Sequence, residues 1–365
     1  MEHSLHGGRA ASVLSLAVTI TLLQVSARGS PAAAAGDVGA ILHTTDGGQT
    51  WAWQLGAAGA AAGLPALMGV SFVDAQIGSA VGNGGTVLRT TDGGQLWTEQ
   101  DSGTSQPLNA IALLDTKIGI AVGDAGTILR TTDGGESWVS QKSGTDAKLT
   151  ALYFQDSKNG MVVGDLGTVL RTADGGETWE PRRITTVALW GISLGDAEVG
   201  FAVGGRDVYR TDDGGDSWQR VSFIPCQTLG RFSYVCSEIT AIFFADPDSG
   251  WLAGREVYMI RDSISAGKFI ARTEDGGVSW RYQYRQGSGF LDGQLANSVY
   301  ALSFVGPSVG FAAGRHFQYG EPRQGTVLRT TDGGASWMRQ DIEGTARVNA
   351  LSFVDDQMGW IVGSQ

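Results

Sequence analysis

Cysteine, proline and histidine are scarce in this chain of 365 residues, at two, eight and four. Two cysteines cannot make a disulfide framework, and Cys226 and Cys236 lack the CxxC or Cys/His spacing of zinc or thiol catalysis. Both lie in one insertion; in an oxidising compartment they would bridge and stiffen it, and in a reducing one they would stay free thiols. Only His43 and His316 fall outside the N-terminal segment, too few for a His-based metal centre and without a Ser-His-Asp arrangement. Positive charge is also the minority. Twenty-six Lys and Arg against 37 Asp and Glu give a net charge of -11, which excludes nucleic acid and anionic lipid as whole-surface partners. No helical period follows the first thirty residues, so no phosphate-cradling loop opens a helix.

One long apolar run exists, Ala10 to Val25 after Arg9, of signal-peptide length and short for a membrane span. Small residues follow it, offering cleavage after Ala27 or Ala35, and no Cys stands nearby to carry a lipid. The expected organisation is a signal peptide and small-residue linker over 1–35 and one domain over 36–365. The chain would then be exported to a periplasm or thylakoid lumen-like compartment, with an uncleaved anchor as the alternative.

Glycine, at 55, and tryptophan, at 11, are abundant: seven of the Trp end copies of one repeated phrase, and the Gly excess suits the many tight turns of which that phrase is one. TTDGGQTW ends at Trp51, and variants of it end at Trp97, Trp138, Trp179, Trp218, Trp280 and Trp337. The phrase reads as a hairpin turn. Its carboxylate (Asp46, Asp92, Asp133, Asp174, Asp213, Asp275 or Asp332) accepts backbone N–H bonds, and Gly-Gly supplies the positive φ. The Trp wedges into apolar space from the next strand. A calcium reading fails, because the D-x-[DN]-x-[DN]-G ligand spacing is absent.

A second recurrent half, such as LNAIALLDTKIGIAVG at 108–123, precedes each full phrase. Two strands from each half make a four-stranded antiparallel sheet, one propeller blade, at a period of about 40 residues. The first phrase lacks its preceding half, and the last half, ending near Gly363, lacks its phrase. Joined, they complete a seventh blade, with strands near 348–362 beside strands near 40–53, and remove the open edge. The fold class is therefore all-β, a seven-bladed β-propeller closed by pairing N- and C-terminal strands in one blade.

With strands a to d numbered from the centre outward, every Asp phrase is a c–d turn on one face of the ring. The large insertions fall on the other: 219–238 and 281–298 between blades, and 255–269 and 315–324 between strands b and c. Loops that grow on one face of a rigid scaffold usually carry its interaction site. At the b–c position the blades read Asn83, Asp124 and Asp165, then Arg206 (one residue later), Arg255 and Arg315. With Arg231, Arg323, Tyr258 and Tyr319 in the insertions, and Arg261, Arg285, Tyr234, Tyr282 and Tyr284 beside them, this is an Arg/Tyr composition suited to an acidic peptide segment or carboxylate.

The GTVLRTTDGGxSW and AISFVDxxxGWAVG halves resemble the photosystem II assembly and stability factor family, seven-bladed propellers of the Asp-box (BNR) class, over essentially all of residues 36–365. Related repeats also occur in non-photosynthetic bacteria. The resemblance implies a lumenal or periplasmic scaffold that holds a membrane-protein assembly intermediate through an Arg-rich face, to which Arg206, Arg255 and Arg315 would belong. One box departs from the pattern, with Leu96 at the Ser/Thr position. Sialidases share the Asp box, and the Arg residues with Tyr258 or Tyr319 could imitate their site, but the Arg-Ile-Pro signature is missing. The expectation is a monomeric, non-catalytic, protein-binding propeller without cofactor or metal and without a membrane span after cleavage. A sialidase-like or other glycoside hydrolase, or a glycan-binding propeller, is the alternative.

Overall fold

The computed structural model describes residues 38–56, 64–224, 226–230, 233–260, 263–286, 298–316 and 324–365. Seven antiparallel sheets follow one another around a ring. Blade 1 is built from Leu67–Phe72, Gly78–Gly82, Val87–Thr90 and Thr98–Gln100, and blades 2 to 6 repeat this order along the chain. Blade 7 takes Arg347–Phe353 and Gly359–Ser364 from the C-terminal side, then Gly39–Thr44 and Ala52–Leu55 from the N-terminal side. Its closing seam pairs Ala40 with Gly363 and Leu42 with Ile361, antiparallel. First strands of neighbouring blades touch all the way round, which makes the ring closed. Among the described residues the only helical elements are three 3-10 turns, and no helix is long and apolar enough to cross a membrane.

Aromatic packing links the blades in order. The box Trp meets the strand-a Phe of its own blade edge-on, as Trp97 meets Phe72 at 5.8 Å and Trp179 meets Phe154 at 6.1 Å. That Phe is then stacked by the strand-b aromatic of the preceding blade: Phe201 on Phe244, Trp251 on Phe304, Phe311 on Phe353 and Trp360 on Phe72. Each such pair contributes about 0.5–1.5 kcal/mol beyond burial. In blade 2 the strand-b position is Ile120, packed beside Phe154 and Trp179 of blade 3.

A second set of links lies near the axis. Strand a carries one bulge in six of the seven blades, for example between Leu108 and Ala110 and between Val348 and Ala350. The extra residue is turned out of the ladder. Asn109 donates from Nδ2 to Leu149 O at 2.8 Å, Thr150 from Oγ1 to Leu189 O at 2.7 Å, and Asn349 from Nδ2 to Leu67 O at 2.7 Å, each reaching the next blade.

The strand-c Arg makes a third link, at the box face. Arg89 donates to Thr116 O at 2.8 Å, Arg130 to Gly175 O at 2.9 Å, and Arg171 to Asp216 at 3.1 Å. In the closing blade the equivalent position is His43, stacked on Trp360 at 4.7 Å. There Gln54 Nε2 takes over, donating to Gly93 O of blade 1 at 2.8 Å.

The insertions depart from the sequence expectation. They were expected as loops, but in blade 5 they continue as sheet: strands Ser233–Phe244, Gly250–Ile260 and Ser263–Thr273 run about six residues beyond the ring, and Gln227–Gly230 adds a fifth strand. Unbroken pairing from Glu238 with Arg255 to Ser233 with Ile260 satisfies the backbone along this stretch. Segments 219–223 and 281–286 are likewise outer strands of blades 4 and 5.

Candidate partner-binding face

The two faces of the ring are made differently. On the box face, a buried Thr organises each turn. In blade 2, Thr131 Oγ1 donates to Asp133 Oδ1 at 2.8 Å and accepts from Gly135 N at 2.8 Å, while Ser137 N and Oγ donate to the same carboxylate at 3.0 and 2.5 Å. The two glycines take φ of 78° and 93°, a region that disfavours a Cβ. The hydroxyl and backbone N–H of Ser217, with the Thr211 hydroxyl, hold Asp213 down at about 2; Ser336 and Thr330 do the same for Asp332. Blade 1 keeps the backbone bond from Leu96 N to Asp92 at 3.0 Å, and Leu96 supplies no hydroxyl. These carboxylates are occupied by their own turns.

The opposite face divides into two sectors. In blades 1 to 3, strands b and c are joined by Asn83–Gly85, Asp124–Gly126 and Asp165–Gly167, tight turns whose middle residue is left-handed. Ala125 and Leu166 hold φ of 52° and 57° there without being glycine. Asp124 accepts from Asn109 Nδ2 at 2.8 Å and faces Lys148 Nζ at 3.1 Å. Burial raises Asp165, with Lys148 opposing and Asp124 adding. This sector is acidic.

The second sector, blades 4 to 6, carries the arginines. Arg206 is exposed at the blade 4 turn, with Nη1 2.9 Å from Cys226 Sγ, and Cys226 is disulfide-bonded to Cys236 of blade 5. Arg255 opens the outward extension of blade 5 and donates from Nε to Glu238 Oε2 at 2.6 Å. Arg315 is half-buried in strand b of blade 6, opposite Ser298 and Gly325. Arg255 and Arg315 directly follow Gly254 and Gly314 within strand b, whereas Arg206 lies one residue further on, in the turn after Gly200–Gly204; the three fall in consecutive blades. Tyr258 shares a strand with Arg255 but sits three residues on, so the two project from opposite faces of the sheet. Arg231, Arg261, Arg323 and Tyr319 lie outside the described residues, and of Tyr234 only the backbone pairing with Thr228 and Met259 is described.

Tyr258 belongs to a cluster that the sequence did not reveal. Glu256 is fully buried and accepts from Arg285 twice, at 2.7 and 3.2 Å, and from the Tyr258 hydroxyl at 2.7 Å. The guanidinium lies 4.4 Å from the Tyr282 ring centroid. Burial first, then the bond to Glu256, pushes the Tyr258 hydroxyl up to about 12. Toward blade 6, Lys268 is fully buried, and among the described residues its ammonium has no hydrogen-bond partner. Burial brings it down to about 7, Asp341 opposing and Arg339 adding. His316 is lowered by burial and by the same Lys268 and Arg339, and Arg339 holds Asp341 at 3.2 Å. The signal for these groups is the charged residues Glu238, Arg255, Glu256, Lys268 and Arg285 within the insertions, legible as partners only once the segments are taken as strands.

The sequence profile of the family described as photosynthesis system II assembly factor YCF48 matches residues 52–144 and 137–230. No curated protein matches the chain in sequence. Among solved structures, YCF48 bound to D1 peptide is similar at 19% identity over 82% of this chain and 91% of its own, with a TM-score of 0.54. YCF48 from Cyanidioschyzon merolae is similar at 18% identity over 82% and 92%, with a TM-score of 0.56. The GH74 xyloglucanase from Xanthomonas campestris is similar at 14% identity over 82% of this chain and 51% of its own, with a TM-score of 0.60. At these identities the structural likeness is one of fold.

Proposed function

From a chain similar in repeat and in seven-bladed fold to the photosystem II assembly factor YCF48, we propose that this propeller is an exported, non-catalytic scaffold. Its outward sheet extension and its Arg206, Arg255 and Arg315 sector hold an acidic or carboxylate-bearing segment of a membrane-protein or complex-assembly intermediate. The observation that carries this reading is the blade 5 extension, since sheet built outward from one face alone makes surface that the ring itself does not need. A similar propeller is named as bound to a D1 peptide, which supports a protein partner. Arg231, Arg323 and Tyr319 extend the same face by their place in the sequence. Export is supported by the Ala10 to Val25 run and by the disulfide, because disulfides persist in oxidising compartments.

The test is a crosslinking pull-down from native membranes with wild type and with Arg206→Glu/Arg255→Glu/Arg315→Glu, partners being identified by mass spectrometry. A membrane-complex subunit captured by wild type and lost on charge reversal supports the scaffold; identical capture by both defeats the Arg sector. Binding should weaken with added salt, as exposed charges are screened over about 8–10 Å at physiological strength. The xyloglucanase likeness favours a second reading, a glycan-acting propeller. Hydrolysis of a xyloglucan oligosaccharide or a fluorogenic sialoside above blank, lost in Arg315→Ala, would replace scaffold by enzyme.

A further inference from the structure

We propose that the Cys226–Cys236 bridge is a thiol–disulfide exchange site, in which Cys226 is the leaving thiolate and Arg206 holds its charge. Backbone register places the bridge at the mouth of a hairpin: Gln227 pairs with Val235 and Thr228 with Tyr234, so Cys226 falls opposite Cys236, with their Cα atoms 4.3 Å apart. Cys226 is exposed and Cys236 half-buried. Arg206 reaches the bridge from the neighbouring blade, and its own backbone is fixed there by Ile224 N, which donates to Arg206 O at 2.9 Å. Its Nη1 stands 2.9 Å from Cys226 Sγ. A neutral disulfide sulfur is a weak acceptor, whereas a thiolate at the same place takes a charge-assisted hydrogen bond. Of the charges on the extension, Glu238 is engaged by Arg255 and Glu256 by Arg285.

The exchange balances with a dithiol reductant. Its thiolate attacks Cys236 Sγ, the S–S bond breaks, and the electron pair leaves on Cys226 Sγ beside Arg206. The reductant's second thiol, after losing its proton to water, attacks its own sulfur in the mixed disulfide, giving the cyclic disulfide and a Cys236 thiolate that is then protonated. The dithiol is oxidised by two electrons and the bridge is reduced. A leaving thiol of lower pKa departs faster, and an adjacent guanidinium lowers a thiol's pKa. Reduction therefore unties strand Gln227–Gly230 at its start and neutralises Arg206 with a thiolate, removing one positive charge from this face.

No partner is needed for the test, so its outcome is separate from that of the scaffold reading. Full-length protein is reduced with dithiothreitol at pH 8 in wild type, Arg206→Lys and Arg206→Gln. Arg206→Gln should react roughly three- to tenfold more slowly, with Arg206→Lys close to wild type. Independently, Cys226 in Cys236→Ser should be alkylated by iodoacetamide with a midpoint below the ordinary thiol value of about 8.5, and adding Arg206→Gln should raise it. Equal reduction rates in all three proteins, or a Cys226 midpoint at or above about 8.5 that ignores Arg206→Gln, would overturn the proposal.

Discussion

Blades 1 to 3 and blade 5 present the same face of one ring, and they finish it in opposite ways. In the first, strands b and c are joined by turns of three residues, tight enough that Ala125 and Leu166 are held left-handed. In the second, the strands run on about six residues into solvent-side sheet. The charges follow this difference. In the short-turn half they serve as links between blades or stay near the surface, as Arg130 does with a largely exposed Glu177. In the extended half two are fully buried, Glu256 with its Arg285 fork and Lys268 with no hydrogen-bond partner among the described residues. An extension that has left the ring must build its own interior, and here that interior is partly ionic.

The sharpest way to break the contrast is to remove one arginine from each half. Arg285→Ala strands a buried carboxylate, which costs about 2–4 kcal/mol, because the partner left behind is desolvated and unpaired. Arg130→Ala removes a brace whose acid is exposed and should cost about 1 kcal/mol or less. Urea unfolding of both variants decides it. Equal losses would mean that the Glu256 cluster is hydrated in solution and that the extension has no dry interior.

Lys268 gives the next largest effect. Its folded-state value is brought down to about 7 by burial, below the ordinary lysine value, so the folded protein binds fewer protons than the unfolded chain between about pH 7 and 10.4. Stability should therefore rise with pH through that window, with the full penalty of the buried ammonium present below pH 7. Lys268→Met should stabilise the protein at pH 7 by about 1–4 kcal/mol and flatten the rise. Urea midpoints at pH 7 and 9.5 test both points together, and a variant less stable at pH 7 with an unchanged slope would show that the ammonium is satisfied.

The two halves also differ in how far they were legible. The repeated phrase carried the blades, their number and the closing seam, because each position of TTDGGxSW has a local reason that survives in any context. The blade 5 extension was hidden, since Arg, Tyr, Ser and Gly in runs such as 255–268 read as insertion when nothing marks where a turn should be. Only cross-strand partners make Glu238, Arg255 and Lys268 a row. Between these extremes lie Asn109, Thr150, Thr240 and Asn349. They stand at the same place in LNA, LTA, ITA and VNA, a polar residue inside an apolar strand. That misfit was visible, but its meaning required the next blade, whose carbonyl each side chain reaches. The Thr that opens each box was likewise in plain view, but its part as the buried hydroxyl that organises the turn depends on the folded geometry.

The smallest effect concerns the one irregular turn of the regular half. In the other six boxes a Ser or Thr hydroxyl donates to the box Asp at 2.5–2.6 Å, as Thr50 does to Asp46 and Ser336 to Asp332, whereas blade 1 offers an exposed Leu96. Asp92 is still lowered, first by the Leu96 backbone N–H and then by the Thr90 hydroxyl. Leu96→Ser should lower it further, toward the value of about 2 that Asp213 and Asp332 reach through their serines. A carboxylate depressed in the folded state stabilises above the unfolded value of about 3.9 and loses that contribution as pH falls through its folded value. The variant should therefore match wild type at low pH and exceed it slightly at neutrality. Carboxyl-carbon NMR titration of Asp92 is the direct measurement. An Asp92 that titrates unchanged in Leu96→Ser would show that the backbone N–H and the box Thr already hold the turn, and that the recurrent hydroxyl adds solubility at an exposed position rather than strength.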